Sequence, residues 1–253
     1  METKKQPENH SGYPAVAGIG RDEHIGIVKE MFSTIPGRYD FLNHLLSLRR
    51  DIAWRRFTVK KMRFFKTLRL LDVATGTADM AIEAALMHPE ISVMGIDFVS
   101  EMLLPGKRKI AERNLAGRIA LLQADATALP FPDGHFDAAV IAFGIRNIPE
   151  KLTALREMKR VLTSGGKAYI LELNAPQNRL WRKIFAPYLM RVLPGVAGVF
   201  SRNPAAYLYL VDSVIHFPPP LAFLALMADA GFSGLEHYSL TLGITSLYVG
   251  GKV

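Results

Sequence analysis

Three aspartates stand at the ends of three successive apolar runs, and that spacing is where this chain could do chemistry. Asp72 sits in Leu70-Leu71-Asp72-Val73, Asp97 closes the run Ile91 to Ile96, and Asp125 follows Ile119 to Gln123. After the first run come Thr75-Gly76-Thr77, then Ala78 and Asp79, where a helix is predicted to begin. A buried strand that turns through glycine into a helix lets backbone approach a ligand and points unpaired N–H groups at it. A carboxylate about 20 residues on, at the end of the next strand, can accept both hydroxyls of a ribose. Asp97 has that spacing, so the expected ligand carries a nucleoside. Each acid alone reads equally well as a helix N-cap, but three at successive strand ends favour the ligand.

The same loop narrows the choice of nucleoside. A pyrophosphate cradle wants G-x-G-x-x-G, and here its second and third positions are Ala78 and Ala81. S-adenosylmethionine carries a cationic sulfur and an amino acid, which acidic or neutral polar groups such as Asp72, Thr77 and Asp79 suit better than a phosphate would. Asp125, within Gln123-Ala124-Asp125-Ala126, is placed to accept the adenine amino group. No cluster of metal-ligating side chains stands out, and without cysteine the chain has no disulfide, thiolate site or thiol nucleophile.

These residues need a parallel sheet to hold them. Residues 1–24 are polar, glycine-bearing and aperiodic, which reads as a flexible tail. From Ile25 to about residue 66 the pattern turns helical, with a break at Ile35-Pro36-Gly37, and this segment is expected to cap the ligand. Apolar runs then alternate with helical ones, the mark of a doubly wound α/β sheet. Further strands are predicted at Phe136 to Ala142 and Lys167 to Leu173. Between them lies an amphipathic helix with Leu152, Leu155, Met158 and Leu162 on one face, ended by Ser164-Gly165-Gly166. A basic, proline-bearing insertion covers 174–220, a helix follows from Leu221 to Ala230, and Leu235 to Leu242 with Ile244 to Gly250 reads as an antiparallel pair around Gly243. One domain over 25–253 is expected.

The chain has 253 residues, 49% hydrophobic, enough for one complete core. There is no 18-residue apolar run, and no signal-peptide core follows Met1 to Lys5, so a cytoplasmic protein is expected. The net charge of +8 is uneven. Arg49 to Arg69 holds nine basic residues and one acid, and Asn174 to Asn203 five basic and none acidic, which leaves the remainder at −5. Interleaved with Trp54, Phe57, Phe64, Phe65, Trp181 and Phe185, such stretches suit an anionic membrane surface. RNA binding and a plain solvated helix face are the rival readings.

Five parallel strands closed by a hairpin is the arrangement of the Rossmann-like, seven-stranded class I S-adenosylmethionine-dependent methyltransferases, with helices on both faces and an antiparallel last strand. Ala128-Leu-Pro-Phe-Pro-Asp133, Phe136-Asp137, Ala142-Phe-Gly-Ile-Arg-Asn147, Leu155-Arg-Glu-Met158 and Gly165-Gly166 resemble the C-methyltransferases of ubiquinone and menaquinone biosynthesis. The flanks agree: Tyr39-Asp40, Leu42-Asn43 and Trp54 upstream, Tyr207, Tyr209-Leu210, Ser213 and Phe217-Pro218 downstream. The likeness runs from about Met31 to Lys252, and Phe-Gly-Ile-Arg-Asn and the tyrosine pair are its most particular features. The resemblance implies that Thr77, Asp97, Asp125 and Ala126 contact S-adenosylmethionine. Three residues depart from the pattern: Ala78 for a second glycine, Ala142 for a serine of some members, and Tyr248 for a common histidine.

The chemistry then asked of the site is methyl transfer to a ring carbon of a prenylated quinol, demethylmenaquinol favoured over the benzoquinol. A phenol has a pKa near 10, so the site must favour the phenolate. Arg146 is the first candidate to stabilise that oxyanion, its rival role being a structural ion pair with Glu150 or Asp137. Asn147 could orient the same oxygen, and Tyr207 and Tyr209 could position the ring or relay a proton. A substrate that lives in a bilayer predicts docking to the inner face of the membrane through the two basic stretches. A homodimer or a quinone-synthesis assembly is a further expected partner, and nucleic acid is not. Methylation of RNA or another lipid, or a non-catalytic cofactor-binding subunit, are the alternatives.

Overall fold

In the computed structural model, the described residues are 20–34, 40–41, 44–45, 47–175 and 205–253. The expected insertion therefore falls largely outside them, as do the tail up to residue 19 and the motif residues Tyr39, Leu42 and Asn43.

Helix α1 (Arg21–Thr34) and α2 (Arg50–Lys61) precede β1 (Arg69–Val73), α3 (Asp79–Met87), β2 (Ser92–Asp97), α4 (Ser100–Glu112) and β3 (Ile119–Gln123). Then come β4 (Phe136–Ala142), a 3-10 turn (Ile145–Asn147), α5 (Lys151–Val161) and β5 (Leu162–Leu173). After α6 (Ala205–Ile215) and α7 (Pro220–Asp229), β6 (Ser233–Leu240) and β7 (Thr245–Gly251) close the chain through a 3-10 turn at Thr241–Gly243. The sheet order is β3-β2-β1-β4-β5-β7-β6. Strands β1 to β5 pair parallel, whereas β7 runs antiparallel to both β5 and β6. The order reverses between β1 and β4, the topological switch point at which open α/β sheets bind ligands.

Alternation along the central strands feeds two cores, one on each face. Leu70, Ala138, Tyr169, Leu171 and Leu247 face a layer built with Trp54, Val59 and the alanines of α3. Leu71, Ala139, Ile170 and Tyr248 face α5 and α7, where Leu155, Met158, Phe223 and Met227 are fully buried. The sequence pattern ended this helix at Ser164-Gly165-Gly166, but α5 stops at Val161 and Leu162 to Gly166 already belong to β5, with Leu162 paired to Phe136 of β4.

Helix α1 begins at Arg21, inside the segment read as tail. Asp22 and Glu23 lie in its first turn, where acids complement the helix dipole, and buried His24 ties it to α6. At the opposite end of the sheet Asp137, the second residue of β4, accepts the backbone N–H groups of Phe65, Lys66, Thr67 and Leu68 at 2.9–3.0 Å. Burial alone would raise that carboxyl, but the amides bring it below its ordinary value. Helix α2 therefore runs from the ligand-binding end to the other end of the sheet, about 18 Å for 12 residues. Two basic residues of Arg49 to Arg69 are paired, Arg55 with Asp51 and Arg56 with Glu83.

Candidate active site

A cleft of about 910 Å³, its solvent-open mouth included, lies at the C-terminal ends of β1, β2, β3 and β4. Ala74 and Gly76 supply its β1 side, Asp97 to Val99 and Met102 its β2 side, and Asp125 to Thr127 its β3 side. Phe143, Gly144 and Asn147 to Glu150 line the β4 side, and Ile25, Val28 and Phe32 of α1 cover it.

Tight backbone brings these walls together. Gly76 has φ +56°, and Ala74 and Phe143 hold the same left-handed region at φ +52° and +60°, strain of a kind that gathers at functional sites. Phe143 is fixed from behind by Trp54, 6.1 Å between ring centroids, and by the Arg55 guanidinium 5.5 Å above its ring. A Cβ on Gly144 would stand 2.7 Å from the Ala74 methyl, so only glycine lets the β1 and β4 turns approach.

Asp97 joins the β1 and β2 walls of the cleft. One oxygen accepts the Gly76 N–H at 2.8 Å and the other the Val99 N–H at 2.9 Å, and the carboxylate still borders the cleft. Burial raises its pKa. Asp125 uses Oδ1 to accept both the N–H and the hydroxyl of Thr127, each at 2.8 Å, which orients it beside Ala126 on the same wall. Asn147 also faces the cleft, and its buried Oδ1 finds no hydrogen-bond donor among the described residues.

Other expected residues have different work. Asp72 does not line the cleft. Its Oδ2 accepts the Thr75 hydroxyl at 2.6 Å and the Ala81 N–H at 3.1 Å, so it occupies the first turn of α3 from beneath and burial pushes its pKa up to about 7. Thr77, buried, donates its hydroxyl to Asp40. Asp79 pairs with Lys109, which also reaches Asp40 at 2.8 Å, and Arg55 lies 3.8 Å away. Together they latch the segment before α2 onto the loop. Ala78 holds φ +66° at the N-terminus of α3, a conformation glycine would adopt freely, and its methyl packs towards Gly106 of α4 rather than into the cleft.

Arg146 is likewise withdrawn from the lining. Its Nη1 pairs with Glu172 at 2.7 Å and also donates to the Phe143 carbonyl, so its ion-pair partner is Glu172 rather than Glu150 or Asp137. Tyr209 is buried with its hydroxyl 2.8 Å from His24 Nε2. Tyr207 lies on the same helix, α6, and its side chain is outside the described residues. Tyr248 packs in the core between Phe223 and His237 and donates to Asn174 at 3.0 Å, away from the cleft. Ala142 borders the cleft as a bare methyl. His24 and Glu172 were missed in the sequence; a lone acid inside the apolar run Ala168 to Leu173 was a usable signal for Glu172, whereas His24 had none.

The residues that meet at the cleft fit S-adenosylmethionine. A carboxylate closes each of two neighbouring walls, the β1 turn offers glycine backbone, and the sides contributed by Val99, Met102 and Phe143 are apolar. Bound there, the cofactor supplies an electrophilic methyl group. The fold and this site define a class I S-adenosylmethionine-dependent methyltransferase. The ubiE/COQ5 methyltransferase family model matches residues 20–252, and the chain belongs to that family. A ubiquinone/menaquinone biosynthesis C-methyltransferase UbiE of Geotalea uraniireducens is 47% identical over 226 residues, 89% of this chain and 96% of that one. A demethylmenaquinone methyltransferase of Thermus thermophilus is 44% identical over 222 residues, 88% of this chain and all of the other. Among solved structures, an S-adenosylmethionine-dependent methyltransferase of Thermotoga maritima superposes with TM-score 0.61 at 16% identity, covering 89% of this chain and 99% of that one. The [4+2]-cyclase SpnF gives 0.59 at 17%, covering 89% and 95%, a reminder that this fold alone does not fix a reaction.

Proposed function

We propose that the chain transfers a methyl group from S-adenosylmethionine to a ring carbon of a prenylated quinol, with demethylmenaquinol the favoured substrate. The carrying observation is the composition of the cleft. Its β2 and β3 walls bear the acids suited to the cofactor, and its β4 wall offers Asn147, whose buried Oδ1 meets no donor among the described residues, beneath the apolar cover of Ile25, Val28 and Phe32. A flat apolar ring carrying a hydroxyl answers both features. Gly76, Asp97, Asp125 and Ala126 hold the cofactor in this reading, and Asn147 accepts the ring hydroxyl. The names of the Geotalea and Thermus relatives support it, and the latter favours the naphthoquinol.

A substrate of that kind is delivered from a bilayer. Among the described residues no helix is long and apolar enough to cross one. The reading places the membrane contact at the turn before α2, where Leu48 is 77% exposed and Phe41 and Leu45 also meet solvent. Leu48 and Arg49 both hold left-handed backbone, φ +50° and +61°, at a cost of about 1–2 kcal/mol each, and Arg50 follows. An apolar tip backed by two guanidinium groups suits the inner, anionic leaflet. The second basic stretch lies mostly outside the described residues, 176–203.

A mass-spectrometric assay tests the reaction, with S-adenosylmethionine and a short-tailed 2-prenyl-1,4-naphthoquinol beside the matching benzoquinol and total RNA. Methylation of the naphthoquinol is expected; methylated RNA, or cofactor binding without turnover on either quinol, refutes the reading. Flotation on vesicles with and without anionic lipid tests the docking. Wild-type protein should float with anionic vesicles and Leu48→Ser/Arg49→Glu should not.

A further inference from the structure

His24 and Tyr209 are 185 residues apart in sequence and meet in the interior, Nε2 to hydroxyl oxygen at 2.8 Å, with the rings edge-on at 6.0 Å. Both are almost fully buried, at 5% and 3% exposure. A buried histidine in the first turn of a helix costs solvation, and a tyrosine of the core would stabilise α6 as well with phenylalanine in its place. The location suggests a use. His24 is followed by Ile25, which covers the cleft, and α6 packs against the Ile145–Asn147 turn that presents Asn147 to it.

Resting on the quinol reading above, we infer that His24 positions Tyr209 for the reaction: the imidazole Nε2 accepts the phenol proton, which leaves the phenol oxygen to accept the quinol's other ring hydroxyl, the one Asn147 does not hold. A tyrosine hydroxyl is both donor and acceptor, and a fixed acceptor on one side decides which it offers on the other. The proton count closes. When the ring hydroxyl passes its proton to the Tyr209 oxygen, the proton of Tyr209 passes to His24 Nε2, giving a neutral phenol and an imidazolium while the ring gains the electron pair it needs as a nucleophile. His24 is thus a positioning residue, since it acts through Tyr209.

The charges around the pair favour this direction. Burial and then the Lys151 ammonium keep the His24 pKa below its ordinary value, so the ring is neutral and able to accept, while Glu150 opposes this and would stabilise the imidazolium once formed. Tyr209 is pushed above the ordinary phenol value by burial, with Arg146 opposing and Asp212 and Glu172 adding, so the phenol keeps its own proton until the exchange. Lys151 itself donates to the Arg146 and Ile148 carbonyls, 3.3 and 2.8 Å, and cannot take the proton while charged.

Three variants and one spectrum test the inference. His24→Ala and Tyr209→Phe should each lower kcat on the quinol about 100-fold. The double variant should be no slower than Tyr209→Phe, and the Kd for S-adenosylmethionine should be unchanged. His24→Gln retains a hydrogen-bond acceptor but cannot take the proton, so it should lose kcat much as His24→Ala does, and with it the acidic limb of the pH–kcat profile. Nitrogen-15 spectra of labelled histidine, with His24 assigned through His24→Gln, should show Nε2 unprotonated at pH 7 in wild type and altered in Tyr209→Phe. Wild-type kcat and pH profile in His24→Ala, an acidic limb retained by His24→Gln, or a protonated Nε2 overturns the inference. Should wild type methylate no quinol, the substrate reading fails, and the nitrogen spectrum still decides whether His24 accepts from Tyr209.

Discussion

Arg146 and Glu172 form an ion pair at 2.7 Å with both side chains almost wholly removed from water. Glu172 also accepts the backbone N–H groups of Arg146 and Leu173, so the end of β5 is tied to the turn that carries Asn147. An arginine so engaged is better placed to hold the wall of the cleft than to meet an oxyanion inside it.

The energetic consequence follows from burial. Arg146→Ala or Glu172→Gln leaves one buried charge without its partner and should cost about 3–5 kcal/mol of stability, whereas the double substitution Arg146→Met/Glu172→Leu should recover most of it. Urea unfolding of the four proteins checks this. A single variant with wild-type stability and a collapsed kcat would return Arg146 to the oxyanion role.

Close backbone approach gives a second prediction. Gly144→Ala drives a methyl to 2.7 Å of the Ala74 methyl and against Ile141, so the β1 and β4 turns must separate. Overpacking of this kind costs about 1–3 kcal/mol, and here it falls on two walls of the cofactor cleft at once. Titration calorimetry should show affinity for S-adenosylmethionine at least 10-fold weaker, a larger relative loss than in the melting temperature.

How far the sequence reaches is visible in these same residues. Strand ends and their acids were legible because apolar runs mark parallel strands and a lone acid at the end of one is conspicuous, and Asp97, Asp125 and Gly76, singled out that way, all border the cleft. What each acid does was not legible. Asp72 and Asp79 look alike in the loop, yet Asp72 turns under the helix and Asp79 turns out to Lys109, a choice made by side-chain direction and by an element 30 residues away. The partnerships of Arg146 with Glu172 and of His24 with Tyr209 join segments whose separation no periodicity reports. Ala78 was legible only as a departure from a second glycine; its left-handed backbone sends the methyl towards Gly106.

Asp97 offers a test of the cofactor side that spares the fold. Asp97→Asn keeps the shape and one carbonyl acceptor, but loses the charge that two ribose hydroxyls would share and must turn an N–H₂ towards either Gly76 N or Val99 N. The expected loss is about 10- to 100-fold in S-adenosylmethionine affinity, since hydrogen bonds to a charged acceptor contribute roughly 1.5–3 kcal/mol. Equal affinity in calorimetry would remove Asp97 from the site.

Asp72 makes a prediction in pH. With its pKa pushed up to about 7 by burial, from an ordinary 3.8, the folded chain holds a proton across that window which the unfolded chain has released. Stability therefore falls as pH rises from about 4 to 7, by up to about 1.4 kcal/mol per unit, and levels off once both states are ionised. Asp72→Asn cannot titrate. The Thr75 hydroxyl and the Ala81 N–H both donate to one oxygen, Oδ2, so an asparagine that places its carbonyl there keeps both bonds. The variant should thus be no more stable than wild type at pH 5 and gain on it steadily to pH 7.5, measured by urea unfolding in matched buffers. A difference that does not change between pH 5 and 7.5 would mean that this carboxyl ionises in the folded chain as it does in water, and that the first turn of α3 rests on a charged rather than a neutral group.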